Sequence, residues 1–169
     1  MKLLSALEAL AKFCAVLAGL VMVGITLLTC ASVVGRNLFE HAINGDFELV
    51  GFAAGAAIAL FLPWCQIRRG NIIVDFFSTH ASEANQARLD RFGALLLAAV
   101  MALMAWRSVL GGMNAWNTNS GSMMLGFPEW IIYVFMVPPM VLTAIIALTQ
   151  ATFGFGDESD VEDNPELSV

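Results

Sequence analysis

Charge is scarce in this chain, and the places where it is missing narrow the possible functions. Of 169 residues, 13% are charged and 59% hydrophobic, and the mean hydropathy is +0.77. Soluble domains typically carry about 25% charge. Four long apolar stretches, 13–35, 49–67, 92–113 and 130–153, contain no Asp, Glu, Lys or His, and Arg107 is their one charged residue. A self-contained ion-coupled carrier normally needs a carboxylate within the membrane, and a haem-bearing membrane anchor needs histidines there. His41 and His80 fall in loops on opposite sides of the predicted membrane, so they cannot jointly ligate one haem. Cysteine is equally sparse. Cys14, Cys30 and Cys65 lie inside apolar runs without CxxC or Cys/His spacing, which points away from a disulfide framework or a zinc site. The expectation is a protein that is not an enzyme and has no cofactor, no metal and no nucleic-acid partner.

What is present reads as membrane. Each of the four stretches can cross a hydrocarbon core about 30 Å thick, which takes roughly 20 helical residues. They are continuously apolar, without the alternation of a barrel strand. The predicted fold class is an all-α integral membrane protein with four transmembrane helices, occupying residues 1–153. The run from Phe13 to Gly35 is longer than the roughly 7 to 15 residues of a signal-peptide core, and it is expected to remain as a helix. Leu27-Leu28-Thr29-Cys30 is a poor fit to a lipoprotein cleavage box.

Orientation follows from basic residues near the span ends. Lys2, Lys12, Arg68, Arg69, Arg88 and Arg91 fall on one side, against Arg36 and Arg107 on the other. This asymmetry predicts cytoplasmic N- and C-termini. Arg107 lies about fifteen residues into the third stretch, on the order of 22 Å from its inner end. Its head is expected to snorkel to the outer interface. Trp64, Trp106, Trp116 and Trp130 fall near span ends, where interfacial aromatics belong. The formal charge of −6 is confined to the end of the chain. Asp157, Glu158, Asp160, Glu162, Asp163 and Glu166 are six of the fourteen acids, which leaves eight acids against eight Lys and Arg before them. Residues 154–169 are predicted to be an acidic disordered tail.

The stretch RRGNIIVDFF, residues 68–77, interrupts this pattern. Residues 71–80 are too few to span, yet on a helical wheel Ile72, Ile73, Val74, Phe76 and Phe77 fill one arc. Ser78, Asp75 and Thr79 fill the opposite one. A short amphipathic helix lying on the inner leaflet is predicted, with Gly70 permitting the turn and Asn71 available as N-cap. Arg68 and Arg69 would then face anionic headgroups, each contributing about 1 kcal/mol. A plain loop is the alternative.

Other polar groups are few. Thr26, Thr29 and Ser32 on the first helix are expected to pack against a neighbour or to bond their own backbone. Glu48 stands where the second span begins, able to pair with Arg36 or with a partner protein. The small residues Ala53, Ala54, Gly55, Ala56, Ala57 and Ala59 permit close helix approach, either inside this unit or to another protein.

Several fragments, taken in order, carry a family likeness. They are Gly35-Arg36-Asn37-Leu38-Phe39, then Glu48, then Gly70-x-Ile72-x-Val74-Asp75, then Leu125-Gly126-Phe127-Pro128-x-Trp130 with Tyr133 and Pro138. Over about residues 10 to 150 the chain resembles the small Q-type membrane subunit of TRAP transporters, the tripartite ATP-independent periplasmic systems. The resemblance implies an accessory protein of the bacterial inner membrane. Its partners would be a large M-type permease subunit, a periplasmic solute-binding protein and membrane lipids. In such systems the large subunit carries the substrate and sodium sites and works as an elevator, commonly for organic acids, while the small subunit enlarges the fixed scaffold. Arg36, Glu48, Arg68, Arg69, Ile72, Ile73, Asp75, Phe76 and Phe77 are the candidate partner or lipid contacts. Asn71 stands where the family often has histidine, and the segment before Glu48 lacks the frequent tryptophan. Two rival readings are a membrane anchor of a respiratory redox enzyme and a small proton-coupled exporter.

Overall fold

The computed structural model describes residues 2–40, 43–68 and 83–153, with side chains for 5–38, 40, 43–68 and 88–152. The predicted surface helix at 71–80, with Arg69, Ile72, Ile73, Asp75, Phe76 and Phe77, lies outside the described residues, as does the acidic tail.

Four helices account for nearly everything described: α1 (Lys2–Phe39), α2 (Asp46–Ile67), α3 (Glu83–Thr118) and α4 (Trp130–Phe153). All four are long and apolar enough to cross a membrane. The chain is an all-α, multi-pass membrane protein. Two helices exceed their expected spans. The 38 residues of α1 would reach roughly 57 Å at 1.5 Å each. Its extension before Phe13 is rich in Leu and Ala, strong helix formers whatever the local charge. An apolar count registers membrane depth, whereas helix propensity continues into water. The sequence leads one to expect a helix start at Ser82, with Glu83 in the first turn running through Arg88 and Arg91 into the third span, and α3 accordingly begins at Glu83; it continues past the apolar run to Thr118.

Helix ends follow local chemistry. Beyond α1, Glu40 takes a positive φ of 53° and the chain turns back. Gly45 precedes α2 with φ 78°, a left-handed conformation that favours glycine. Asp46 and Glu48 then occupy the first turn of α2, where negative charge complements the exposed amides and the helix dipole. At the end of α3, Asn119 has φ 50°. Its N–H donates to Trp116 O at 3.3 Å, and the Ser120 N–H to Ala115 O at 3.1 Å. This paired arrangement is a Schellman cap, with asparagine in the position glycine usually holds. Prolines inside α2 (Pro63) and α4 (Pro138, Pro139) remove backbone donors. Beside the α4 pair, buried Thr143 donates its hydroxyl to Pro139 O at 2.8 Å.

The helices form an open row in the order α1, α2, α4, α3. Close approaches join α1 to α2, α2 to α4 and α4 to α3, with a slight touch of α1 on α4. That touch is a cluster of Ala11, Leu142 and Ile146, packed with Leu7, Trp64 and Ile67. Farther along, Met140 of α4 packs with Ala59 of α2 and Ala105 of α3. Small residues set the spacing. A Cβ placed on Gly112 would lie 3.0 Å from Tyr133 Cβ, so the bare glycine lets α4 settle against α3.

The alanine-rich stretch of α2 is divided. Ala57 and Ala59 are buried in the row, whereas a side chain at Gly51 or Gly55 would meet open space. Ala57 and Ala59 stand about 200° apart on the helix, so packing within the row reaches both sides of α2 there, while the positions of Gly51 and Gly55 stay uncovered.

Candidate functional site

Polar chemistry gathers where the α1–α2 turn meets the α3–α4 connection. Asp46 and Glu48, two residues apart on the first turn of α2, are directed to different partners. Buried Ser32, on α1, donates its hydroxyl to Asp46 Oδ2, tying α1 to α2. The Phe47 N–H donates to Asp46 Oδ1 at 2.7 Å. Arg36, in the last turn of α1, adds a favourable charge interaction with Asp46. Its position also complements the negative end of the α1 dipole.

Glu48 turns the other way. Its Oε1 accepts the Met124 N–H at 3.0 Å and its Oε2 accepts the Leu125 N–H at 3.3 Å. Of the two pairings open to Glu48, the one within the chain, with Arg36, is not the contact the fold makes. A backbone loop of the same chain receives the carboxylate, and Arg36 acts on Asp46 instead.

The loop it receives is compact. Ser122 N–H donates to Phe127 O at 2.9 Å, Gly126 N–H to Ser122 O at 3.0 Å and Glu129 N–H to Ser120 O at 3.1 Å. The Phe127 N–H reaches Ser122 Oγ at 3.2 Å, and Gly126 takes a φ of 62°. Gly121 and Pro128 form an isolated antiparallel bridge that closes the neck. Leu125 then fills the space where a Cβ on Gly45 would stand, and the rings of Phe52 and Phe127 meet at 6.2 Å. Trp116 and Trp130 stack edge to face at 4.8 Å across the α3–α4 junction. Met123 and Met124 are left projecting from the tip. The arrangement joins α2 to the α3–α4 connection through one carboxylate, and it offers acceptors that are already engaged rather than a cradle for a solute.

At the opposite end, α2 and α4 are joined by an amide pair. Gln66 Nε2 donates to Gln150 Oε1 at 2.6 Å, and Gln150 Nε2 donates to Gln66 O at 3.2 Å. Arg68, predicted to face lipid headgroups, stands over the Trp64 ring at 5.1 Å. Thr26 and Thr29 donate to Met22 O and Ile25 O, each at 2.8 Å. These two hydroxyls bond their own helix, whereas Ser32 reaches a neighbour.

Between α3 and α4 runs an apolar groove in two sections of about 470 and 570 Å³, lined at one end by Trp116, Trp130 and Tyr133 and at the other by Leu95, Ala102 and Ile145. Val109 lines both. Among the described residues, no three His, Cys, Asp or Glu side chains converge on a possible metal position.

Sequence reasoning passed over Asp46 and Gln66. Asp46 was visible as a second acid beside Glu48 before an apolar run. Gln66 had no signal beyond being polar near a span end.

A family model described as "Tripartite ATP-independent periplasmic transporters, DctQ component" matches residues 25–154. No curated protein and no solved structure matches the chain.

Proposed function

Since the chain belongs to the DctQ-component family of tripartite ATP-independent periplasmic transporters, a family of small permease components, we propose that it is the scaffold subunit of a sodium-coupled importer of organic acids. It would stand in the bacterial inner membrane with both termini in the cytoplasm. A large elevator-type permease subunit would pack against it, fed by a periplasmic solute-binding protein. The family match leaves the redox-anchor and exporter readings without support.

The observation that carries this reading is the uncovered flank of α1. Phe13, Leu20, Leu27 and Val34 are all exposed and recur every seven residues. Such a period keeps one seam of a helix facing a partner helix. The row itself has few groups free to handle a solute, because Asp46, Glu48, Gln66 and Gln150 are committed to contacts within the chain. A rigid row with an apolar flank suits a body against which another domain moves.

Proteoliposomes test it. The chain alone should take up no organic acid under an imposed sodium gradient. Addition of the large permease subunit and the binding protein should start uptake that collapses when the gradient is removed. Uptake by the isolated chain would overturn the scaffold role, and uptake indifferent to sodium would overturn the coupling.

A further inference from the structure

Arg107 is exposed on α3, and its depth in the membrane is unusual. Trp116, stacked on Trp130 where α3 hands over to α4, marks the interfacial level at that end. Arg107 stands nine positions before it, roughly 13 Å along the helix axis. That places its backbone close to the middle of a hydrocarbon layer about 30 Å thick. A three-methylene stem covers only about half the distance.

Among the described helices, the chain offers no carboxylate at this depth. Its sequence holds no Asp or Glu between Arg91 and Pro128, none between Trp130 and Gly156, and none in α1 after Glu8 or in α2 after Glu48. The same helices of a second copy would therefore supply none either. The surrounding surface is shaped for a helix. Leu96, Leu103 and Leu110 are exposed seven residues apart, with Val100, Arg107 and Asn114 alongside at the same interval. The buried Ala94, Ala98 and Ala105 take the opposite face toward α4.

We propose that Arg107 is an intramembrane docking residue that pairs with a carboxylate on a membrane helix of the large permease subunit. This inference rests on the scaffold reading above. A cation within hydrocarbon persists where it is paired, and guanidinium is the cation best suited to a two-pronged bond with a carboxylate. The partner helix would lie along the leucine seam, with its acid opposite Arg107.

The test is co-expression of the large subunit with the tagged parent chain and with Arg107→Lys, Arg107→Leu and Arg107→Glu. Membrane content of the chain and recovery of the large subunit are measured separately. Arg107→Leu and Arg107→Glu should lower recovery roughly tenfold or more. Arg107→Lys should fall between them and the parent. Membrane content of Arg107→Leu should equal or exceed the parent's, since removing the charge eases insertion. Lys substitutions placed one at a time at the large subunit's membrane acids should include one that restores recovery with Arg107→Glu. Parent-like recovery with Arg107→Leu would overturn the proposal in favour of lipid phosphate or water as the partner. Loss of Arg107→Leu from the membrane, or failure of every charge exchange, would overturn it too. If the parent chain itself fails to recover the large subunit, the scaffold reading is what falls, and this inference falls with it.

Discussion

The side-chain carboxylate of Glu48 and the backbone amide of Met124, 76 positions apart in the chain, are joined by a 3.0 Å hydrogen bond. With the neighbouring bond to Leu125, this places one acid of α2 beneath the tip of the α3–α4 connection. Removing it with Glu48→Ala should free the tip without unfolding the row. Amide exchange at Met124 and Leu125 should accelerate by on the order of tenfold, with helical content unchanged. Glu48→Gln keeps one side-chain acceptor and should fall between. Unchanged exchange in the alanine variant would show that the loop supports itself.

Gly45 tests the same junction from the other side. Gly45→Ala imposes a left-handed conformation on a residue with a Cβ, a penalty of about 1 to 2 kcal/mol, and drives that Cβ into Leu125. The melting temperature of the detergent-solubilised chain should drop. Adding Leu125→Ala should recover the steric part but not the backbone part, so the two changes should be non-additive.

The Gln66–Gln150 pair should behave differently from either. Gln150→Leu takes away the acceptor of the buried Gln66 side-chain amide, a penalty of about 1 to 3 kcal/mol. Replacing both should be nearly neutral. A double-mutant cycle read by thermal unfolding should then return a coupling at least as large as that penalty, above the roughly 0.6 kcal/mol that transmembrane polar pairs average. A double variant weaker than both singles would refute the pairing.

Orientation can be read from two exposed positions. In a background lacking Cys14, Cys30 and Cys65, an impermeant maleimide applied to spheroplasts should label Met123→Cys and spare Asp90→Cys. The opposite result would invert the proposed topology.

Much of the fold was legible because apolar length is written along the chain. The four spans could be read from runs of Leu, Ala, Val and Ile, and the motif Leu125-Gly126-Phe127-Pro128-x-Trp130 marked the loop that proves to be knitted to α2. The partners inside that loop were not legible. Glu48 bonds backbone amides, and an amide has no residue-type signature. Ser32 resembled Thr26 and Thr29 in every local respect, and the contact that distinguishes it is made by the chain's return at Asp46. Arg107 was visible as a lone charge, but its depth is gauged from Trp116, and the stacking of that ring on Trp130 across the α3–α4 junction has no signature in the local sequence.

The order of the row also bears on how the protein is made. Synthesis proceeds from α1 to α4, and α4 is the helix that lies between α2 and α3. Until it emerges, the nascent chain can hold a paired α1 and α2 together with a solitary α3, which has nothing of its own to lean on. The last segment translated is therefore the one that unites the others, and a chain cut short before Trp130 leaves two fragments rather than a smaller version of the whole.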